Sequence, residues 1–265
     1  MAETTAIAWT DHTFNIAWGC MKVSPGCAHC YAERQSAERD TVPGRKLWGP
    51  NSERRTFGAK HWAEPLTWNA AAIRDGKRQM VFACSMCDPF EDHPSIATER
   101  GKLFDLIRLT PALDWQLLTK RPENFARFLP ADWGQGFANV WLGVSIESAD
   151  YLWRADLLRE TPAAIRFISY EPALGPLDGL DLTGIDWVIY GGESGPGFRG
   201  HDLAWPRAMR AKCEAAGIAW FYKQSPAHRT EMGIELDGKI ERAYPTPRRT
   251  GEAAARPPHQ SDLFS

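Results

Sequence analysis

The chain has 265 residues, enough for one sizeable domain with a full core, and its 43% hydrophobic and 24% charged content is ordinary for a globular protein. A net charge of −2 supplies no global positive field, so any binding of nucleic acid has to use local patches. The N-terminal Met1-Ala2-Glu3-Thr4-Thr5 has no basic or apolar region of signal-peptide type, and no apolar run is long enough to span a bilayer, which predicts a cytosolic protein without a membrane partner. In that reducing compartment six cysteines argue for metal or cluster binding over a disulfide framework.

Residues Ala6 to Asn15 read as a lead-in and a short strand that ends just before the stretch Cys20-Met21-Lys22-Val23-Ser24-Pro25-Gly26-Cys27-Ala28-His29-Cys30. Three thiols fall within eleven residues, and Gly19, Pro25 and Gly26 supply the bends that let a backbone wrap around something small. A structural zinc normally closes four ligands, whereas a cluster held by three thiolates leaves one iron open to a ligand that is not protein. The alternatives are zinc with His29 as fourth ligand, and burial of the thiols as small apolar groups. Because His29 lies directly between Ala28 and Cys30, its ring is poorly placed for the same ion, and the spacing ranks a redox cluster first. Tyr31 to Arg39 has helix-forming composition, which puts Cys30 at a helix N-terminus, where the dipole favours an anionic cluster.

Residues 39–62 form an irregular insertion in which Arg45, Lys46, Arg54, Arg55 and Lys60 alternate with Trp48, Phe57 and Trp62. Such a mixture suits phosphate contacts and base stacking, and equally suits a solvated loop whose aromatic residues pin it to the core.

A repeating pattern follows. Strand-like apolar runs occur at 79–85, 114–119, 140–145, 165–169, 187–190 and 218–222, with helix-like segments at 96–109, 122–129, 149–159 and 205–216. Strands alternating with helices imply right-handed crossovers and a parallel sheet, and about seven strands, counting the one before the cysteines, suit a partial or full (β/α) barrel. Each run ends in polar groups: Ser85 and Asp88; Thr119, Lys120 and Arg121; Ser145 and Glu147; Ser169, Tyr170 and Glu171; Glu193 and Ser194; Lys223 and Gln224. Barrel sites form at the C-terminal strand ends, so these groups and the cysteine loop are expected on one rim. Cys84 and Cys87 have no matching Cys or His pair and read as ordinary buried or rim thiols, and Cys213 as core. A barrel domain over residues 1–240 is followed by a mobile tail, 241–265, rich in proline and arginine. Gln260-Ser261-Asp262-Leu263-Phe264 resembles the short peptide by which many bacterial DNA-processing proteins attach to the sliding clamp.

The blocks Trp9-Thr10-Asp11, Trp18-Gly19-Cys20, Gly26-Cys27-Ala28-His29-Cys30-Tyr31-Ala32-Glu33, Leu118-Thr119-Lys120-Arg121-Pro122, Val140-Trp141-Leu142-Gly143-Val144-Ser145, Arg166-Phe167-Ile168-Ser169-Tyr170-Glu171-Pro172 and Gly191-Gly192-Glu193-Ser194-Gly195-Pro196 together resemble the radical S-adenosylmethionine (SAM) superfamily, in its phage-type three-cysteine branch. The resemblance runs from about Trp9 to Gln224. It departs from the commonest loop of the superfamily in the six residues between Cys20 and Cys27, in His29 where an aromatic residue often precedes the last cysteine, and in Cys84 and Cys87 where the branch has serine.

The resemblance implies a radical SAM barrel in which Cys20, Cys27 and Cys30 ligate three irons of a 4Fe-4S cluster and SAM chelates the fourth. Reductive cleavage of SAM then gives a 5'-deoxyadenosyl radical that removes hydrogen from an unactivated carbon. By position, His29 and Tyr31 are expected at the adenine, Ser85 and Asp88 at the SAM amino group, Lys120 at its carboxylate, Ser145 and Glu147 at the ribose, and Glu171 and Glu193 facing the substrate as catalytic residues. The branch further implies DNA hypermodification: isomerisation of an amino-acid-modified thymine in phage DNA, in the host cytoplasm, with a reductant such as flavodoxin. The alternatives are a non-catalytic nucleic-acid-binding module with a structural iron-sulfur or zinc site, and a radical SAM DNA repair lyase.

Overall fold

A computed structural model describes residues 5–42 and 44–247. In chain order the elements are β1 (His12–Phe14), β2 (Ala17–Trp18), α1 (Tyr31–Arg39), β3 (Arg55–Thr56), α2 (Ala59–Trp62), α3 (Glu64–Asp75), β4 (Gln79–Ala83), α4 (Pro94–Leu109), β5 (Leu113–Thr119), α5 (Phe125–Phe128), β6 (Val140–Ser145), α6 (Trp153–Glu160), β7 (Ile165–Tyr170), β8 (Trp187–Gly191), α7 (Ala204–Ala216) and β9 (Ala219–Gln224). Seven strands form one parallel sheet in the order β1-β4-β5-β6-β7-β8-β9, curled into a half-barrel. Among the described residues β1 and β9 do not pair, so the barrel is open rather than full. A short antiparallel ribbon of β2 and β3 stands apart, with Trp18 opposite Arg55.

The strands are unbroken apolar runs because both of their faces are covered, as β6 and β8, buried at every residue, illustrate. Phe14, Val81, Trp115 and Leu142 face the surrounding helices. Inside the half-barrel, Phe82, Trp141, Phe167, Trp187 and Phe221 pack around Trp9, whose ring centroid lies 4.5 Å from Phe82 and 6.2 Å from both Phe167 and Trp187. This aromatic cluster fills the interior toward the N-terminal ends of the strands, and a cavity opens at their C-terminal ends. Helix ends follow local chemistry: Pro94 starts α4 behind His93, whose ring accepts from Ser95 N at 3.3 Å, and the left-handed Gly76 and Gly217 stop α3 and α7.

The seven expected strands and four later helix-like segments are present within a few residues of their sequence positions, with 122–129 and 149–159 each beginning as a 3₁₀ turn. Helix α3 was not expected. It follows the insertion directly, opens on Glu64-Pro65 and buries Pro65, Trp68 and Ala72. Residues past 240 continue along β9: Tyr222 N donates to Glu241 O at 2.7 Å, Ala243 N to Trp220 O at 3.0 Å, and Tyr244 Oη to Ala8 O at 3.0 Å. From 248 onward, including the clamp-like Gln260 to Phe264, the expected tail lies outside the described residues. No helix among the described residues is long and apolar enough to cross a membrane.

Candidate functional site at the open end of the half-barrel

Strand β1 ends at Phe14, β2 carries the chain to Trp18, and the cysteine loop starts at Cys20, where it bridges Trp48 of the insertion. Residues 25–27 make one 3₁₀ turn, and Cys30 caps the N-terminus of α1. The loop therefore lies across the C-terminal ends of the strands. There a cavity of about 670 Å³ opens, lined by Cys20, Cys27 and Cys30 together with residues from the ends of β4 to β9.

Of the twelve residues expected in the site, the structure brings eleven to this one cavity: the three cysteines, His29, Tyr31, Ser85, Asp88, Lys120, Ser145, Glu171 and Glu193. Glu147 is fully buried behind the cysteine loop and does not line it. Its carboxylate accepts from Lys120 Nζ at 2.6 Å, Arg154 Nη1 at 2.9 Å and Ser24 Oγ at 2.7 Å. Burial acts to raise this carboxyl, but the two cations and the Ser24 hydroxyl overcome it and hold it below the ordinary range. A methyl group on Gly26 would fall 2.5 Å from Glu147 Oε1, so only glycine lets the loop pass this close. Glu147 is thus a buried post to which the loop is tied, and Lys120, expected at a ligand carboxylate, is its ion-pair partner.

Asp88 is similarly engaged. It accepts from Arg121 Nη1 at 2.7 Å, Thr119 Oγ1 at 2.7 Å, Lys120 N at 3.2 Å and Phe90 N at 3.0 Å. Arg121 then extends both guanidinium nitrogens to Cys20 Sγ, at 3.6 and 3.7 Å, and donates to Met21 O at 2.5 Å. Asp88 therefore orients the arginine that faces the first thiol. Beneath them Glu91 takes Met21 N at 2.9 Å and is clamped by the buried Arg54, which also gathers the carbonyls of Leu47, Gly49 and Ser52. The insertion is accordingly a support for the loop. Arg54 is buried in it, Arg45 pairs with Asp40 and Glu53, and Arg55 lies over the Trp18 ring at 4.6 Å, while Trp62 belongs to the core. Trp48 lines the cavity.

On the opposite wall His29 Nδ1 meets Glu193 Oε2 at 3.0 Å, and Arg199 pairs with the same carboxylate through its guanidinium and its backbone N–H. Burial would raise Glu193, but the Arg199 and His29 contacts bring it below the usual value. Tyr31, 37% exposed, donates its hydroxyl to Ser85 O at 2.8 Å, and Ser85 Oγ accepts from Asn15 Nδ2 at 3.0 Å. Ser145 is buried beneath the rim, its carbonyl held by Arg154 at 2.7 Å. Glu171 forms an ion pair with Lys223 Nζ at 2.5 Å, and both residues line the cavity. Gly191 makes room for this pair, since a methyl there would meet Glu171 Cδ at 2.7 Å.

Burial raises the thiols of Cys20 and Cys30, opposed by Arg121 at Cys20 and by the amides of Glu33 and Ala32 at Cys30. The N–H donors at Cys20 and Cys30 would stabilise the thiolates that an iron assembly takes as ligands. Among the described residues no three His, Cys, Asp or Glu side chains are arranged to hold one metal ion. A cluster distributes its thiolates over separate irons and does not need them to converge on one ion, and the three thiols line one cavity. Cys84 and Cys87 touch the cavity wall from the end of β4, and Cys213 is buried in the core with its thiol pushed up to about 12 by burial.

Arg121 and Lys223 are site residues that strand-end reading grouped on the rim without a role. Their partners Asp88 and Glu171 lie 33 and 52 positions away in the chain, beyond any local signal.

A family model described as "Protein of unknown function (DUF5131)" matches residues 4–245. No curated protein matches the chain, and no solved structure does.

Proposed function

The chain belongs to the DUF5131 family, whose description carries no activity, and from its own residues we propose that it is a radical SAM enzyme acting on a modified base of DNA. The observation that carries this reading is the convergence of Cys20, Cys27 and Cys30 on one cavity at the open end of a parallel half-barrel, with Arg121 and the first turn of α1 donating to two of the sulfurs. The resemblance of the sequence blocks to the phage-type branch of the superfamily names the chemistry. When bound, the 4Fe-4S cluster supplies one electron for the reductive cleavage of SAM.

The chain's own residues orient the partners and exclude water. Asp88 holds Arg121, and Glu147 with Ser24 holds the loop, so the three sulfurs are presented from a fixed backbone. Trp9, Phe82 and Leu118 make the floor apolar, which keeps solvent from a reactive species above it. Glu171 and Lys223 place opposite charges side by side on the wall. That arrangement matches the ammonium and carboxylate of an amino-acid group attached to a base, with Glu171 facing the ammonium and Lys223 the carboxylate. A cavity of about 670 Å³ is too small for a duplex, so a base of DNA has to leave the stack to enter it, at a cost of roughly a few kcal/mol.

The reading is tested by anaerobic reconstitution with iron and sulfide, followed by SAM and dithionite: 5'-deoxyadenosine and methionine are expected in equal amounts, and no 5'-deoxyadenosine above a Cys27→Ala control would reject it. Nucleoside mass spectrometry of phage DNA made with and without the gene identifies the base.

A further inference from the structure

The cavity is far more positive than the protein around it. Seven Lys and Arg residues line it against three Asp and Glu, in a chain whose net charge is −2. Most of those cations have partners: Arg121 has Asp88, Lys120 has Glu147, Lys223 has Glu171 and Lys22 has Glu33. Arg34, Arg39 and Arg229 line the cavity without an ion-pair partner among the described residues; Arg39 is the last residue of α1, five positions beyond Arg34.

Arg34 lies on α1, one turn after Tyr31, and its guanidinium rests on the backbone of Gly195, where a methyl group would fall 2.5 Å from Nη1. Arg229, in the segment after β9, lines the same cavity. The backbone of residues 193–195 is tied to Ala227 by Ala227 N to Glu193 O at 3.1 Å and Gly195 N to Ala227 O at 2.9 Å, which brings the chain at 228–229 beside Gly195. The nearby carboxylates are engaged elsewhere: Glu33 with Lys22, Glu193 with Arg199 and His29, and Glu231 with Arg242. A half-buried guanidinium held against backbone without a counter-ion is a ready receptor for a bidentate oxyanion. Beside it the Tyr31 ring, also on the cavity wall, offers a stacking face.

We propose that Arg34 and Arg229 form a phosphate clamp at the lip of the cavity, binding the phosphate of a nucleotide whose base enters beside Tyr31. A strand and a free nucleotide carry the same chemistry, and a strand fits better because the lip is open on its outer side, where Arg229 is exposed. The clamp rests on the nucleic-acid reading above for the identity of its ligand, and on the unpaired guanidinia for its place. It adds α1 and the segment after β9 to the 39–62 insertion as candidate phosphate contacts, Arg45, Arg54 and Arg55 of the insertion being engaged internally.

The test measures binding of a fluorescein-labelled thymine-rich single strand to the reconstituted holoprotein by anisotropy across a salt series, for the wild type, Arg34→Gln, Arg229→Gln, the double variant and Arg34→Lys. Iron content and thermal midpoint serve as folding controls. At roughly 0.7 per single-strand phosphate contact, removing both guanidinia is expected to reduce the slope of log K against log salt by about 1.4. Arg34→Lys restores the slope without full affinity, since it keeps the charge and loses the fork. Thymidine monophosphate in competition forms the second arm: displacement that Arg34→Gln abolishes assigns the clamp to a free nucleotide, and strand binding without such displacement assigns it to the polymer. An unchanged slope in a well-folded double variant, absence of binding in both arms, or loss of iron on Arg34→Gln overturns the clamp. Failure of the radical reading shows separately, as absent 5'-deoxyadenosine with binding intact.

Discussion

Replacing Glu147 by Gln removes one charge from a site that holds the cysteine loop from behind. The carboxylate is fully buried, Arg154 is 2% exposed and Lys120 is 20% exposed, so the amide leaves one guanidinium in the interior without its counter-charge. Removing one partner of a buried pair costs roughly 3–5 kcal/mol, and the partial exposure of Lys120 puts this case near the lower bound, about 3 kcal/mol. At about 2–4 °C per kcal/mol for a domain of this size, the thermal midpoint is expected to fall by about 6–12 °C at pH 7. The acid dependence supplies a second signature. Because the folded carboxyl is held below its usual range, the wild type has the full contribution above an unfolded value of about 4.3 and loses it as pH falls through the lower folded value. Glu147→Gln lacks that contribution at every pH, so the two midpoints should converge on acidification. Differential scanning calorimetry of both proteins from pH 7 down to about 3 measures this. A midpoint within a degree of wild type at pH 7, or a gap that does not narrow in acid, would refute the role assigned to Glu147.

Three further outcomes follow from the same geometry. Gly26→Ala drives a methyl group against an immobile carboxylate, so it should cost about 1–3 kcal/mol and lower the iron retained per chain after gel filtration. Glu171→Gln breaks the pair with Lys223 and should reduce turnover of the modified base by about 10²-fold or more while 5'-deoxyadenosine still forms without substrate, a split visible by product chromatography. Cys84→Ser with Cys87→Ser should leave the iron content unchanged, since neither thiol is needed beside the other three; a loss of half the iron would make them ligands.

The strand order and the rim were legible because β5 to β8 are short apolar runs with polar residues at their ends, a pattern that survives in one dimension. The cysteine loop was legible for a similar reason: its ligands and bends are contiguous. What escaped is what the fold brings together from a distance. Nothing near Glu147 announces that Ser24 and Gly26 will press against it, so its charge reads as a rim group instead of a buried post. Asp88 lines the cavity as expected, but its pairing with Arg121 has no local signal in the chain. Within the insertion, Arg54 is open to either reading and is a buried brace on Glu91, whereas the unpaired Arg34 sits inconspicuously in a helix rich in Glu and Arg.

The most direct measurement of the central claim is electron paramagnetic resonance of the anaerobically reduced, reconstituted protein, recorded with and without SAM. A cluster held by Cys20, Cys27 and Cys30 with an iron open to the cavity should give the signal of a reduced 4Fe-4S centre that shifts when SAM is added. A signal indifferent to SAM, or a protein that takes up zinc and no iron, would contradict it.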